Sequence, residues 1–269
     1  MWLATVGAVK RALLFDLDET LVVEEAAAVA AFEATASVAS GRHGVDAARL
    51  AISARVRARE LWRAAPTYAF CNSIQISSWE GLWCRFEGDE PNVRALRTWS
   101  PTYRREAWRL GLVDEGTDDI PLAEELAERF PLERRARHEV FPDAEPALAE
   151  LRESHRLALV TNGASCLQRE KLAASGLGDY FEVVVVSGEF GVGKPDRSIF
   201  RHALSQLRSD GNGAVMVGDN LTRDIDGAIA AGLEGVWINR LGQVPPEPRP
   251  GLAEISTLSD LPTALRRLR

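Results

Sequence analysis

Two aspartates stand two residues apart at the end of an apolar run, Arg11-Ala-Leu-Leu-Phe-Asp16-Leu-Asp18-Glu19-Thr20-Leu21. Side chains two positions apart on a strand share a face, so a strand persisting through this run aims both carboxylates one way. Adjacent like charges repel, and such a pair persists with a cation, a shared proton or a chemical task. The plain structural explanation is a strand ending in an Asx-type turn. Three further signals follow in order: Thr161-Asn162-Gly163, Lys194 within Gly193-Lys194-Pro195-Asp196, and Gly218-Asp219 with Asp224 five residues on. Each alone suits a turn or a loop. All four in sequence, each just past a strand, make a stronger case than any one of them.

The elements that must position these residues are legible from about Arg156 onward. Leu157–Val160, Phe181–Val186, Ala214–Val217 and Gly235–Ile238 are short apolar or β-branched runs, as expected of strands covered on both faces. Between them the periodicity predicts helices over Ser165–Ser175, closed by Gly176, over Arg197–Leu207, and over Asp224–Ala231, closed by Gly232. A last helix is expected over Ser259–Leu268 with Ser259 as its cap. Alternating strands and helices imply a parallel α/β sheet with helices on both faces. Right-handed crossovers bring all strand C-terminal ends to one edge, where open α/β sheets bind ligands.

From about Glu24 to Arg137 the texture changes. Ala- and Arg-rich helical stretches such as 24–40 and 47–64 dominate, and no buried strand is evident. This reads as a helical insert directly after the first strand. Leu122–Arg137, dense in both charges, reads as a solvated helix face and nothing more. Gln243–Pro250, with four prolines, reads as a loop, and the opening nine residues as a strand lead-in rather than a signal peptide.

Bulk properties narrow the classes. The 269 residues are 46% hydrophobic, enough for one large domain or two smaller ones. A net charge of -7 argues against a nucleic-acid polymer as partner but leaves room for a small anion at a local positive site. No apolar run is long enough to cross a bilayer. Three widely spaced cysteines, Cys71, Cys84 and Cys166, suggest neither a zinc site nor a disulfide framework, and fit a cytoplasmic protein.

The four signals together resemble the haloacid dehalogenase-like hydrolase superfamily. Within it, Thr161-Asn-Gly…Gln168-Arg-Glu-Lys171, Gly188-Glu189…Lys194-Pro195 and Val217-Gly-Asp-Asn…Asp224-Ile are most similar to the nucleotidase and N-acylneuraminate 9-phosphate phosphatase branch. The resemblance implies a Rossmann-like core (1–23 and 138–269) with an inserted α-helical C1-type cap (24–137). It implies a Mg²⁺-dependent phosphatase working through an aspartyl-phosphate on a small phosphorylated metabolite, a sugar phosphate or nucleoside monophosphate, as monomer or homodimer. Asp16 is then the nucleophile and Asp18 the acid and base. Mg²⁺ is held by Asp16, the Asp18 carbonyl and Asp219. Lys194, Thr161 and Asn162 meet the phosphoryl oxygens, and Asp224 orients Lys194 or a metal-bound water. Glu19 falls at a variable position and receives no role. A dehalogenase of the same fold attacks carbon, needs no metal and is expected to lack the second aspartate. A phosphomutase, which passes the phosphoryl group to another hydroxyl, would carry the same motifs. A non-catalytic binding protein on this scaffold would have no need of an intact Asp16, Asp18, Lys194 and Asp219.

Gly188-Glu-Phe-Gly-Val-Gly-Lys194-Pro195 nearly spells a nucleotide P-loop, but Pro195 replaces the hydroxyl residue that would meet Mg²⁺. His43, His138, His155 and His202 form no nucleophile–base pairing, and no G-x-S-x-G elbow is present. Trp79 and Trp83 lie four apart, on one face if helical. Packing inside the insert explains them more simply than cover over a bulky substrate group. Arg63 and Arg85 are candidates for a second anionic group.

Overall fold

The computed structural model describes residues 10–244, 247 and 250–268. The opening nine residues and half of the proline-rich loop therefore lie outside the described residues. The sheet has six parallel strands, β1 (Arg11–Phe15), β2 (His155–Thr161), β3 (Val183–Val186), β4 (Val215–Gly218), β5 (Glu234–Ile238) and β6 (Leu252–Ile255), in the spatial order 3-2-1-4-5-6. Between β1 and β2 run α1 (Glu25–His43), α2 (Ala47–Trp62), α3 (Tyr68–Ile74), α4 (Ser78–Gly81), α5 (Pro91–Asp114), α6 (Ile120–Arg135) and α7 (Ala144–Ser154). The remaining helices are α8 (Ser165–Ser175), α9 (Ser187–Phe190), α10 (Arg197–Gln206), α11 (Gly227–Ala231) and α12 (Leu261–Arg267).

Strand alternation divides the sheet's buried residues into two layers. Leu13, Phe15, Leu157, Leu159, Val215 and Val217 pack with α7 and α12 on one face. Ala12, Leu14, Ala158, Val160 and Met216 pack with α10 on the other. This Rossmann-like order reverses direction at β1, and its switch point lies at the C-terminal ends of β1 and β4.

The insert has its own core. Phe32, Trp108 and Phe130 meet at ring separations of 4.3 to 6.0 Å, and Trp62 stacks among Trp99, Tyr103 and Phe86. α2 and α5 approach closely because Gly111 has no side chain; a Cβ there would lie 3.0 Å from the Ala54 backbone nitrogen.

Several expectations need correction. Leu122–Arg137 is more than a solvated face: α6 buries Leu122, Ala123, Leu126, Phe130 and Arg134 against the insert core. Arg134 is completely buried and pairs with Glu24 at 2.5 Å. Charge density conceals an apolar stripe at 122, 126 and 130 that repeats every four residues. β6 is hard to recognise from sequence because only Ile255 of its four residues is buried. Ser259 caps no helix; the Thr257 hydroxyl accepts its N–H in a 3₁₀ turn, and α12 starts at Leu261.

Candidate active site

β1 ends at Phe15, although the Asp16 N–H still bonds the Val217 carbonyl at 3.0 Å. The chain then turns, with the Leu21 and Val22 N–H groups both donating to the Leu17 carbonyl. Asp16 and Asp18 thus border one cavity through a turn, not through an extended strand. Glu19 takes a left-handed conformation in this turn (φ 59°), and its carboxylate accepts the Glu24 and Glu25 N–H groups at 2.8 and 2.6 Å. A position without a sequence-level role is therefore the acceptor at the start of α1, where negative charge is favoured.

The Lys194 ammonium lies 2.7 Å from Asp16 Oδ1 and 2.7 Å from Asp224 Oδ1, with all three side chains almost fully enclosed. Burial alone would lower the lysine's pKa, but Asp16 and Asp224 outweigh it and raise it. The Leu17 N–H also donates to Asp16 Oδ1, so both contacts fall on one oxygen. One carboxylate oxygen each from Asp16, Asp219 and Asp224 falls within a common 4.8 Å span. Burial, then the charges of Asp16 and Asp224, pushes Asp219 up to about 8. Burial and Asp16 push Asp224 up to about 6. Three acids share one ammonium, a surplus of negative charge that suits an added cation.

Local structure fixes these groups. β4 ends in Gly218, and a Cβ there would meet Asp224 Oδ2 at 2.4 Å. Asp224 Oδ2 also accepts the Asn220 N–H at 2.9 Å, tying the π-helical turn Leu221–Asp226 to the strand end. Gly218→Ala is therefore expected to displace Asp224 and lower unfolding free energy by about 1–3 kcal/mol, measured by urea denaturation. An unchanged midpoint would show that Asp224 moves aside freely.

Asn162 has a structural task that the resemblance does not mention. Its Nδ2 donates to the Lys194 carbonyl at 3.0 Å, and its Oδ1 accepts the Lys194 N–H at 2.8 Å. Its amide clamps the lysine loop, and the residue also borders the cavity. Thr161 is buried, and its hydroxyl donates to Gln168 Oε1 at 3.2 Å. Lys194 precedes a loop, and α10 starts only at Arg197 with Asp196 as its cap, unlike a P-loop.

Asp18 points toward a different cation. Lys171 Nζ lies 3.0 Å from its Oδ2, and Gln168 Nε2 donates to the same oxygen at 3.3 Å. The side chain keeps 26% of its surface open. Burial beneath the insert, reinforced by Glu24, Glu80 and Asp16 against Lys171, pushes its pKa up to about 8. Residue type and spacing give Lys171, Glu80 and Glu24 no role. One signal does exist: Gln168 and Lys171 are three apart and so share a face of α8.

The insert roofs this edge. The Gly193 N–H donates to the Ser73 carbonyl and the Ser187 hydroxyl to the Ile74 carbonyl. Cys84 of the insert and Cys166 of α8 stand 3.6 Å apart as free thiols. The half-open cavity beneath the insert measures about 170 Å³ and is lined from the insert by Gln75, Ser77, Trp79 and Glu80, with Arg223 from the sheet side. Trp79 thus faces the cavity while Trp83 is buried in the insert. Arg63 and Arg85 are exposed and do not border it.

A doubly wound sheet with an acid cluster and a buried lysine at its switch point defines an α/β enzyme of the acid-nucleophile type. The family model for haloacid dehalogenase-like hydrolases matches residues 10–232, and the chain belongs to that family. Phosphoserine phosphatase of Thermus thermophilus is 40% identical over 242 residues, spanning 89% of this chain and 93% of that one. N-acylneuraminate-9-phosphatase of Mus musculus is 38% identical over 156 residues, spanning 57% of this chain and 62% of its own. Among solved structures, 2-haloacid dehalogenase from Pseudomonas syringae superposes with a TM-score of 0.60 at 27% identity, covering 97% of this chain and all of that one. The family membership and phosphatase-branch likeness expected from the motifs are both borne out.

Proposed function

We propose that this protein is a Mg²⁺-dependent phosphatase that hydrolyses a small phosphate monoester through an aspartyl-phosphate, with the insert acting as a cap. The observation that carries this reading is the cluster of Asp16, Asp219 and Asp224 around Lys194 at the switch point. Its donors are all oxygens, crowded and short of positive charge, which fits a hard divalent ion. Asp16, the Asp18 carbonyl and Asp219 would hold Mg²⁺, which supplies positive charge beside the phosphoryl group.

Asp16 forms the new O–P bond as the ester P–O bond breaks. The Asp18 carboxyl gives its proton to the departing alkoxide, then takes one from the water that cleaves the acyl phosphate. Lys194 pairs with Asp16 at 2.7 Å and adds fixed positive charge next to the transferred group. Asp224 holds Lys194 in place, and Asn162 fixes the loop that carries it.

The 2-haloacid dehalogenase likeness raises the rival chemistry. Asp18 favours the phosphatase, because attack on carbon with halide departure needs no proton for the leaving group. The cavity favours a compact alcohol. Phosphoserine leads because the Thermus thermophilus relative spans nearly this whole chain, and Arg223 at the cavity wall would meet a substrate carboxylate.

A phosphate-release screen across phosphoserine, sugar phosphates and nucleoside monophosphates, with and without chelator, tests this. Activity is expected with Mg²⁺ and not with chelator. Halide release from a 2-haloacid in chelator, or no phosphate release from any ester, would overturn the proposal. Asp219→Ala is further expected to abolish the rise in melting temperature that saturating Mg²⁺ gives the wild type. That rise corresponds to about 2.7 kcal/mol at a hundredfold excess over Kd.

A further inference from the structure

Lys171 is a buried cation that the proposed chemistry leaves unused. It sits in α8, fully enclosed, with its ammonium 3.0 Å from Asp18 Oδ2, 2.9 Å from Glu80 Oε1 and 3.3 Å from Glu24 Oε2. The Trp79 and Trp83 rings flank it at 5.7 and 5.8 Å, within cation–π range. Gln168, one turn earlier, repeats the bridge: its Nε2 donates to Asp18 Oδ2 at 3.3 Å and to Glu80 Oε1 at 3.2 Å. One face of α8 thus joins the same two carboxylates twice, one from the sheet edge and one from the insert.

The partners differ in what else holds them. Glu24 also pairs with Arg134. Glu80 is rigid on the insert, because its Oε2 accepts the Ser77 N–H and hydroxyl at 2.9 and 2.8 Å in a capping box. The carboxyl of Asp18 is held, among the described residues, by Lys171 and Gln168. Its orientation therefore depends on two side chains that both also bind Glu80. Removing Glu80 leaves an ammonium and an amide in a dry site with less to fix their direction.

We propose that Lys171 is a positioning residue for Asp18, and that Glu80 couples this positioning to the seating of the insert over the site. Leaving-group protonation is then engaged only when the insert has brought Glu80 to α8. The inference rests on the reading of Asp18 as the acid, and it assigns Glu80 and Lys171 a task beyond holding the two parts together.

The test uses leaving-group dependence. Wild type, Glu80→Gln, Lys171→Met and Asp18→Asn are compared on phosphoserine, an alkyl ester, and on p-nitrophenyl phosphate, whose phenolate departs without a proton. The first half-reaction is followed by rapid mixing under single-turnover conditions. Glu80→Gln, near-isosteric and able to keep the Ser77 contacts, is expected to slow alcohol release from phosphoserine about 10²-fold, within the usual range for a general acid, and nitrophenolate release by less than about tenfold. Asp18→Asn gives the same pattern, more strongly. Lys171→Met repeats it where that variant folds by circular dichroism. Equal losses on both esters in Glu80→Gln, or no loss on either, while Asp18→Asn keeps its selectivity, would overturn the positioning role alone. An Asp18→Asn variant without leaving-group selectivity would instead remove the acid assignment, and this inference with it.

Discussion

Asp16→Asn is expected to abolish turnover while the protein stays folded. Asparagine keeps the volume and one oxygen, so the Leu17 N–H retains an acceptor. It loses the negative charge that attacks phosphorus and that pairs with Lys194 at 2.7 Å. Removing a nucleophile that works in a preorganised site costs on the order of 10⁴- to 10⁶-fold in kcat. The folding cost is offset because the change also relieves crowding among Asp16, Asp219 and Asp224. The result is read from phosphate release together with circular dichroism. Denaturing gels of protein quenched with phosphate-labelled substrate should carry label in the wild type and none in the variant. Wild-type-like turnover would exclude Asp16 as nucleophile.

Lys194→Met is expected to damage stability as well as activity. The side chain is about 1% exposed and its ammonium is the partner of two buried carboxylates. Methionine fills similar volume but leaves those acids without their cation. Breaking a buried ion pair from one side costs about 3–5 kcal/mol, because the remaining charge stays desolvated. Urea denaturation should show this loss, and saturating Mg²⁺ should recover part of it by supplying positive charge to the same cluster. Activity should fall by at least about 10³-fold, in the range of losing a preorganised electrostatic contact. A variant as stable as wild type without metal would mean that Asp16 and Asp224 are not held together by this lysine.

The two variants also separate the roles within one cluster. The first removes a negative charge and should be tolerated by the fold. The second removes the balancing positive charge and should not. Contrasting effects on stability from neighbouring side chains are a signature of the surplus acid that a divalent ion would balance.

Much of this site is readable from residue type and spacing. Asp16, Lys194, Asp219 and Asp224 each follow a strand or a strand-associated loop, and parallel topology obliges those ends to share an edge. Buried β-branched runs make β2 to β5 recognisable, and their order places the switch point. The turn after β1 is less legible. Extended geometry would set Asp16 and Asp18 side by side, whereas the chain bends at Leu17 and directs them to different lysines. Asn162 shows the same limit: its amide donors are legible from residue type, whereas its clamp on the Lys194 peptide is not.

By itself the sequence determined the parallel sheet, the helical insert and the family, because periodicity, turn residues and motif order are local properties of the chain. Tertiary structure alone decided which cation serves which acid. Lys171 and Glu80 are separated by 91 positions, and no spacing rule joins them. Their meeting depends on how the insert packs over α8, where a buried ammonium must gather carboxylates from wherever the fold brings them, since burial without partners would cost more than the fold can sustain.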